Sequence, residues 1–204
     1  MNIDSWLTAF LALFAILNPL GLIPIYTEFT ESLNKRDRFR VFNITVFTGF
    51  STMAVMSFSG EWIITNLFQI DIVEFRIAGG ILLTIIAVKY IVFPQKETVS
   101  GEGHEEIRTR TMELGIVPMG VPLLVGPGSI VTGILVMERN GFMVTLTSLV
   151  AVFILCWGLF QMSPLISRLM GKVGRLVISR VLWIFIAATG AHLLISGIKE
   201  AFGL

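Results

Sequence analysis

Two short clusters hold the residues best suited to chemistry: Asn18-Pro19-Leu20-Gly21 and Gly126-Pro127-Gly128-Ser129. Each lies inside a long apolar stretch, with Pro24 following the first and Pro118 and Pro122 preceding the second. A proline inside a helix removes one backbone hydrogen bond, costs about 3 kcal/mol, and frees the carbonyl four residues earlier. The carbonyls so freed are those of Ala15, Leu20, Leu114, Pro118 and Leu123. Asn is a preferred helix N-cap and proline a preferred first helical residue, so Asn18-Pro19 can restart a helix. Gly126-Pro127 can do the same. Each restart exposes unpaired N–H groups and carries roughly half a positive charge, which suits a small anion or carboxylate. Freed carbonyls and the Asn18 side-chain oxygen accept from an ammonium group. A zwitterionic amino acid meets both needs, and a wall of bare backbone favours a small one. The competing reading is a pair of kinks that serve only packing; their recurrence at matching positions favours a site.

The elements that position these clusters are membrane spans. Of the 204 residues only 14% are charged and 54% are hydrophobic, with a mean hydropathy of +0.84. A soluble domain carries about 25% charged residues. Apolar runs of roughly 18 or more residues read as transmembrane helices, and six can be drawn: Ser5–Glu28, Val41–Gly60, Ile72–Phe93, Leu114–Met137, Val144–Ser163 and Val181–Ile198. The fold expected is an all-α integral membrane protein. The leading segment carries Asp4, no Lys or Arg, and no small-residue cleavage site, so it is expected to be a retained first helix and not a signal peptide. Irregular backbone at membrane depth is tolerated only inside protein or along a wet cavity, so the clusters should face the bundle interior. Starting a helix at Ser5 puts Asn18 about 20 Å deep at 1.5 Å per residue; Gly126 lies similarly deep from Glu113.

The halves repeat. Asn18 and Gly126 share an offset of 108 residues, and Arg76 (FRIAGG) and Arg180 (SRVLWIF), which open the third and sixth spans, share one of 104. Residues 1–93 and 113–204 therefore form two three-helix repeats within one membrane domain, joined by 94–112, and the polar stretch Pro94–Glu113 is expected to be a mobile loop. With three spans per half, the second repeat enters the membrane upside down, as in many secondary transporters. Helices 1 and 4 are the discontinuous ones, and the pseudo-two-fold brings their restarts together near the midplane. Cytoplasmic loops collect Lys and Arg. Of the 15 such residues only Arg76, Arg139 and Lys199 fall on one side, so both termini should face away from the cytoplasm. Leu165–Arg180 spaces basic residues among apolar ones and reads as an amphipathic interfacial helix.

The motifs NPLGLIPIY, GPGSI and FRIAGGILL closely resemble those of the MarC family of multi-pass membrane proteins, across nearly the whole chain. That family includes the SnatA-type transporters of small neutral amino acids. The resemblance implies six helices in inverted repeats and substrate held at the two discontinuous helices. Carried over by residue, it implies a substrate site at Asn18, Pro19 and Gly21 with Gly126, Pro127 and Gly128, and with Pro24 and Ser129 as neighbours. It further implies transport of glycine, alanine or serine across the cell inner (plasma) membrane.

Other features exclude more than they propose. The net charge of +1 and the absence of a basic run argue against nucleic acid. Cys156 is the only cysteine, so there is no disulfide framework or cysteine metal site. No H-E-x-x-H, G-x-S-x-G or P-loop is present; no enzyme activity, cofactor or metal is expected. Glu28, Glu61, Asp71, Glu74 and Glu138 read as solvated or capping groups at helix ends. His192, inside the last span among small residues, is a candidate proton carrier, though a neutral histidine hydrogen-bonded across helices is the stronger reading. Gly79-Gly80 and Ala187, Ala188, Gly190 and Ala191 let helices approach closely. Trp6, Trp62 and Trp183 suit interfacial belts. The partners expected are a small neutral amino acid or other zwitterion, membrane lipids, a coupling proton or sodium ion, and further copies of the chain. The alternative functions are a lipid-carrier or phosphate-head-group translocase and a non-transporting membrane scaffold.

Overall fold

A computed structural model describes residues 3–93 and 104–203, and its described elements are helical throughout. In order they are α1 (Ile3–Leu17), α2 (Pro19–Phe29), α3 (Lys35–Trp62), a π-turn at Ile63–Leu67, and α4 (Ile72–Val92). There follow α5 (His104–Leu114), a wide-wound segment Gly115–Leu124, α6 (Pro127–Gln161) and α7 (Ser163–Ala201). Two glycines with positive φ interrupt the last two helices: Gly141 (φ 77°) in α6 and Gly171 (φ 64°) in α7. A Cβ would meet nothing within 4 Å at either. Backbone conformation, not close packing, is therefore what calls for glycine there.

Among the described residues five stretches are long and apolar enough to cross a membrane: Ile3–Phe29, Lys35–Leu67, Ile72–Val92, Pro127–Gln161 and Leu176–Ala201. Thr111–Leu124 is a shorter apolar helix. The outward faces are also apolar, with Phe47, Ile85, Ile154 and Phe185 well exposed. Water does not tolerate such a surface, whereas lipid does. The chain is a multi-pass integral membrane protein.

Packing crosses between the halves. α4 lies against α7 and α3 against α6, while α1 packs on α6, Gly115–Leu124 on α3, and α2 on α7. The buried core includes Leu13, Leu17, Ile25, Phe42, Met53, Met119, Leu124 and Phe153, with the Tyr26 and Phe160 rings 4.9 Å apart. At the α4–α7 crossing a Cβ on Gly80 would lie 2.6 Å from the Gly190 carbonyl oxygen, and one on Gly190 2.8 Å from that of Gly80. Backbone meets backbone there, as small residues at membrane helix contacts allow. The ends of the pair are tied by arginines. Arg180 donates from Nη1 to the carbonyls of Tyr90 (2.7 Å) and Ile91 (3.0 Å) at the end of α4. Arg76, near the start of α4, donates to Glu200 at the end of α7 (2.5 Å). At α4's own start Glu74 accepts from the Asp71 N–H at 2.9 Å, a cap as expected.

Several expectations need correction. Of the expected loop 94–112, residues 94–103 lie outside the described residues, whereas His104–Leu114 is helix. Its sequence, HEEIRTRTMEL, is rich in good helix formers with acids first, which offsets its polarity. Leu165–Arg180 is helical but broken at Gly171 (φ 64°): the stretch before the break is a helix of its own, and the stretch after it runs on into the last span. Trp183 is not a belt residue: it is 2% exposed, stacked on Tyr90 at 4.6 Å and edge-on to Phe29 at 6.1 Å. Packing by α2 and α4 takes that indole out of the interface. His192 faces outward and has no hydrogen-bond partner among the described residues, so the cross-helix bond expected of it is absent.

Candidate functional site

Asn18 interrupts the first span. Its backbone is left-handed (φ 42°, ψ 53°), a conformation Asn tolerates better than most residues. Its N–H donates to the Phe14 carbonyl (3.0 Å), while its own carbonyl accepts from the Leu22 N–H (3.3 Å) as the first bond of α2. The side-chain Oδ1 accepts from the Gly21 N–H at 3.3 Å, and Pro19 occupies the first helical position. A Cβ on Gly21 would lie 2.5 Å from Asn18 Nδ2. Gly21 is therefore what lets the asparagine fold back over the helix start.

The second half reaches the same result by a different route. Residues preceding proline are biased toward extended backbone, and Val117 (φ −131°, ψ 126°) and Val121 (φ −133°, ψ 129°) are extended ahead of Pro118 and Pro122. Val125 and Gly126 (φ −105°, ψ 178°) stay extended, and α6 starts at Pro127. Ile130 N–H donates to the Gly126 carbonyl at 3.0 Å, and Ser129 Oγ donates to the same oxygen at 2.8 Å. The amides of Gly128 and Ser129 are first-turn groups with no intrahelical acceptor. A Met119 carbonyl left over by this irregular path accepts from the buried Tyr26 hydroxyl of α2, which ties the restart of one half to the prolines of the other.

The two restarts meet. A cavity of about 100 Å³ is lined by Asn18 together with Gly126, Gly128 and Ser129. Its walls come from Ile16, Leu17 and Leu22 of the first half, Leu83 of α4, Pro122, Leu123 and Leu124, and Ile186, Thr189 and Leu193 of α7. Four of the eight residues expected at a site thus line one space. The other four stand behind it: Pro19 and Pro24 are buried in α2, Gly21 seats Asn18, and Pro127 packs against Gly79. Leu83, Ile186, Thr189 and Leu193 are wall residues that the sequence did not single out. Only the small-residue run around Thr189 hinted at a close approach.

The lining is chemically simple. Among the described residues no ionisable side chain is part of it, so none of them would match a net charge on a ligand. Its polar members are Asn18, Ser129 and Thr189 and the backbone at the two helix starts, set among mostly apolar residues. For size, an engineered cavity of about 150 Å³ accommodates benzene. A space somewhat smaller takes a molecule of only a few heavy atoms.

Comparison with known proteins places these features in a family. The model of the MarC family of integral membrane proteins matches residues 3–202. A UPF0056 membrane protein of Methanocaldococcus jannaschii is 30% identical over 206 residues, covering 98% of this chain and 99% of its own. The UPF0056 membrane protein YhcE of Escherichia coli is 34% identical over 95% of this chain and 91% of its own. The corresponding figures for YvbG of Bacillus subtilis are 27%, 95% and 93%. No solved structure matches the chain. A match over essentially every span, with the Asn-Pro and Gly-Pro restarts inside it, leaves one assignment: the chain belongs to the MarC family of integral membrane proteins.

Proposed function

We propose that this protein is a secondary transporter of small neutral amino acids, with glycine, alanine and serine as the substrate class. The observation that carries the reading is the shared cavity, lined by Asn18 and the start of α6 and, among the described residues, by no ionisable side chain. A zwitterion's carboxylate matches the helix start and its ammonium matches carbonyl oxygens and Asn18 Oδ1. A space of about 100 Å³ favours a small side chain, such as a methyl or hydroxymethyl group.

The architecture behind this reading is a pair of inverted three-helix repeats with broken first helices. Two relations support it: the crossed packing of α1 on α6 and of Gly115–Leu124 on α3, and the reciprocal arginines at the α4 and α7 ends. Rocking of one repeat against the other opens the cavity to alternate faces. The clustering of Lys and Arg supports a plasma-membrane orientation with both termini away from the cytoplasm.

A thermal-unfolding screen of the purified protein tests the ligand class. Ligand at 100 times its Kd stabilises by about 2.7 kcal/mol, a rise of roughly 5–10 °C for a chain of this size. Glycine, alanine or serine should produce it. Stabilisation by inorganic phosphate instead would assign the cavity to a phosphate head group, and indifference to all of them would leave a scaffold.

A further inference from the structure

A second concavity lies on the outer face, away from the cavity between the restarts. α3 and the second part of α6 leave a groove of about 480 Å³ between them, lined by Asn43, Phe47 and Phe50 on one side and Val150, Ile154 and Trp157 on the other. Its walls are almost wholly apolar and open outward: Phe47 is 72% and Trp157 44% exposed. One end is polar. Asn43 Oδ1 accepts from Trp157 Nε1 (2.8 Å) and Gln161 Nε2 (3.2 Å), which leaves the Asn43 amide N–H₂ as a donor with no acceptor among the described residues.

Charge stands directly beyond that polar end. Arg36, Arg40, Asn43, Phe47 and Phe50 follow the helical spacing of four, three, four and three residues, so they share one stripe of α3. Arg36 is exposed and the Arg40 side chain is 46% exposed, with only a long 3.7 Å approach to Asp37. From Arg40 to Phe50 the helix rises about 15 Å, the depth of half a bilayer's hydrocarbon core of about 30 Å.

From this juxtaposition we propose that the groove is a binding site for one anionic glycerophospholipid. Its phosphate lies between Arg36 and Arg40, an ester carbonyl accepts from the Asn43 amide, and one acyl chain runs down the groove between Phe47 and Ile154. Dimensions and polarity run in the same order on both partners: two cations, one amide donor, then a leaflet's depth of apolar wall. A second copy of the chain fits less well. Copies related by a two-fold along the membrane normal would bring their Arg36 and Arg40 to the same depth, like charge against like.

The test is lipid retention by the purified full-length protein, read by native mass spectrometry with dioleoyl phosphatidylglycerol and dioleoyl phosphatidylcholine, which share their chains. A basic residue near an anionic lipid surface contributes about a fivefold preference, so wild type should favour phosphatidylglycerol roughly 25-fold. The Arg36→Gln/Arg40→Gln double variant should lose that preference. Val150→Trp, or Ile154→Trp if the first does not fold, should fill the groove and weaken retention of both lipids. Equal retention of both by wild type, or a preference that survives the double variant, overturns the proposal. So does disulfide cross-linking between Phe47→Cys copies on a Cys156→Ala background in phosphatidylglycerol bilayers, which would place a second copy on this face.

Discussion

Gly79 of α4 lies against Pro127, the first residue of α6, so closely that a Cβ on the glycine would overlap the proline ring. α4 thereby seats the residue that opens α6, while Leu83, one turn further along α4, forms part of the cavity wall. Position and wall come from a single element. Gly79→Ala should cost about 1–3 kcal/mol through overpacking and also reduce alanine-induced stabilisation. Gly158, where a Cβ meets nothing within 4 Å, is the control. Gly158→Ala should be neutral or stabilising by up to about 1 kcal/mol. Thermal unfolding with and without alanine measures both.

Asn18 has two roles that substitutions can separate. Asn18→Ala loses the cap, at about 1 kcal/mol, and must also adopt a left-handed backbone. Asn18→Gly keeps that conformation at little cost and should unfold within a few degrees of wild type. Both should lose amino acid binding, measured by calorimetric titration. A glycine variant that binds as wild type does would remove Asn18 from the site.

Tyr26 connects α2 to the proline-rich segment of the other half through its hydroxyl and the Met119 carbonyl. Tyr26→Phe leaves that buried carbonyl unpaired, a loss of about 1–3 kcal/mol. The expected fall in Tm is roughly 2–4 °C per kcal/mol for a chain of this length.

The two arginines at the α4–α7 ends should differ in weight. Arg180 is half-buried and donates to two backbone carbonyls, so Arg180→Gln should cost about 1.5–3 kcal/mol. Arg76 pairs with Glu200, whose side chain is 52% exposed. Arg76→Gln should cost less than about 1 kcal/mol, and raising the salt concentration should shrink that difference further. Unfolding at low and high salt compares them.

The spans were legible because lipid-facing helices need long apolar runs, and the restarts because Pro and Gly carry fixed backbone consequences. Four residues that line the cavity, Asn18, Gly126, Gly128 and Ser129, followed from that alone. The walls did not. Leu83, Ile186 and Leu193 resemble every other apolar residue in their spans, and only tertiary packing selects them. Trp183 was misplaced for the same reason, since an indole suits an interface and a stacked core equally. Gly21 was legible as an unusual residue but not as the seat of the Asn18 side chain, which requires knowing where that side chain folds. The helix at His104–Leu114 was hidden by its polarity, although its helix-forming residues were in plain view.

Flux through purified protein in liposomes tests the proposed function most directly. Radiolabelled alanine should cross when a proton or sodium gradient is imposed. Gly128→Leu is the decisive comparison. A Cβ there makes only ordinary contacts, 3.5 Å to Leu193 and 3.7 Å to Ile16, while the rest of a leucine fills the cavity. The variant should fold and insert as wild type does, yet move no alanine. Transport of none of glycine, alanine or serine by wild type under any gradient would contradict the proposal, as would undiminished flux through Gly128→Leu.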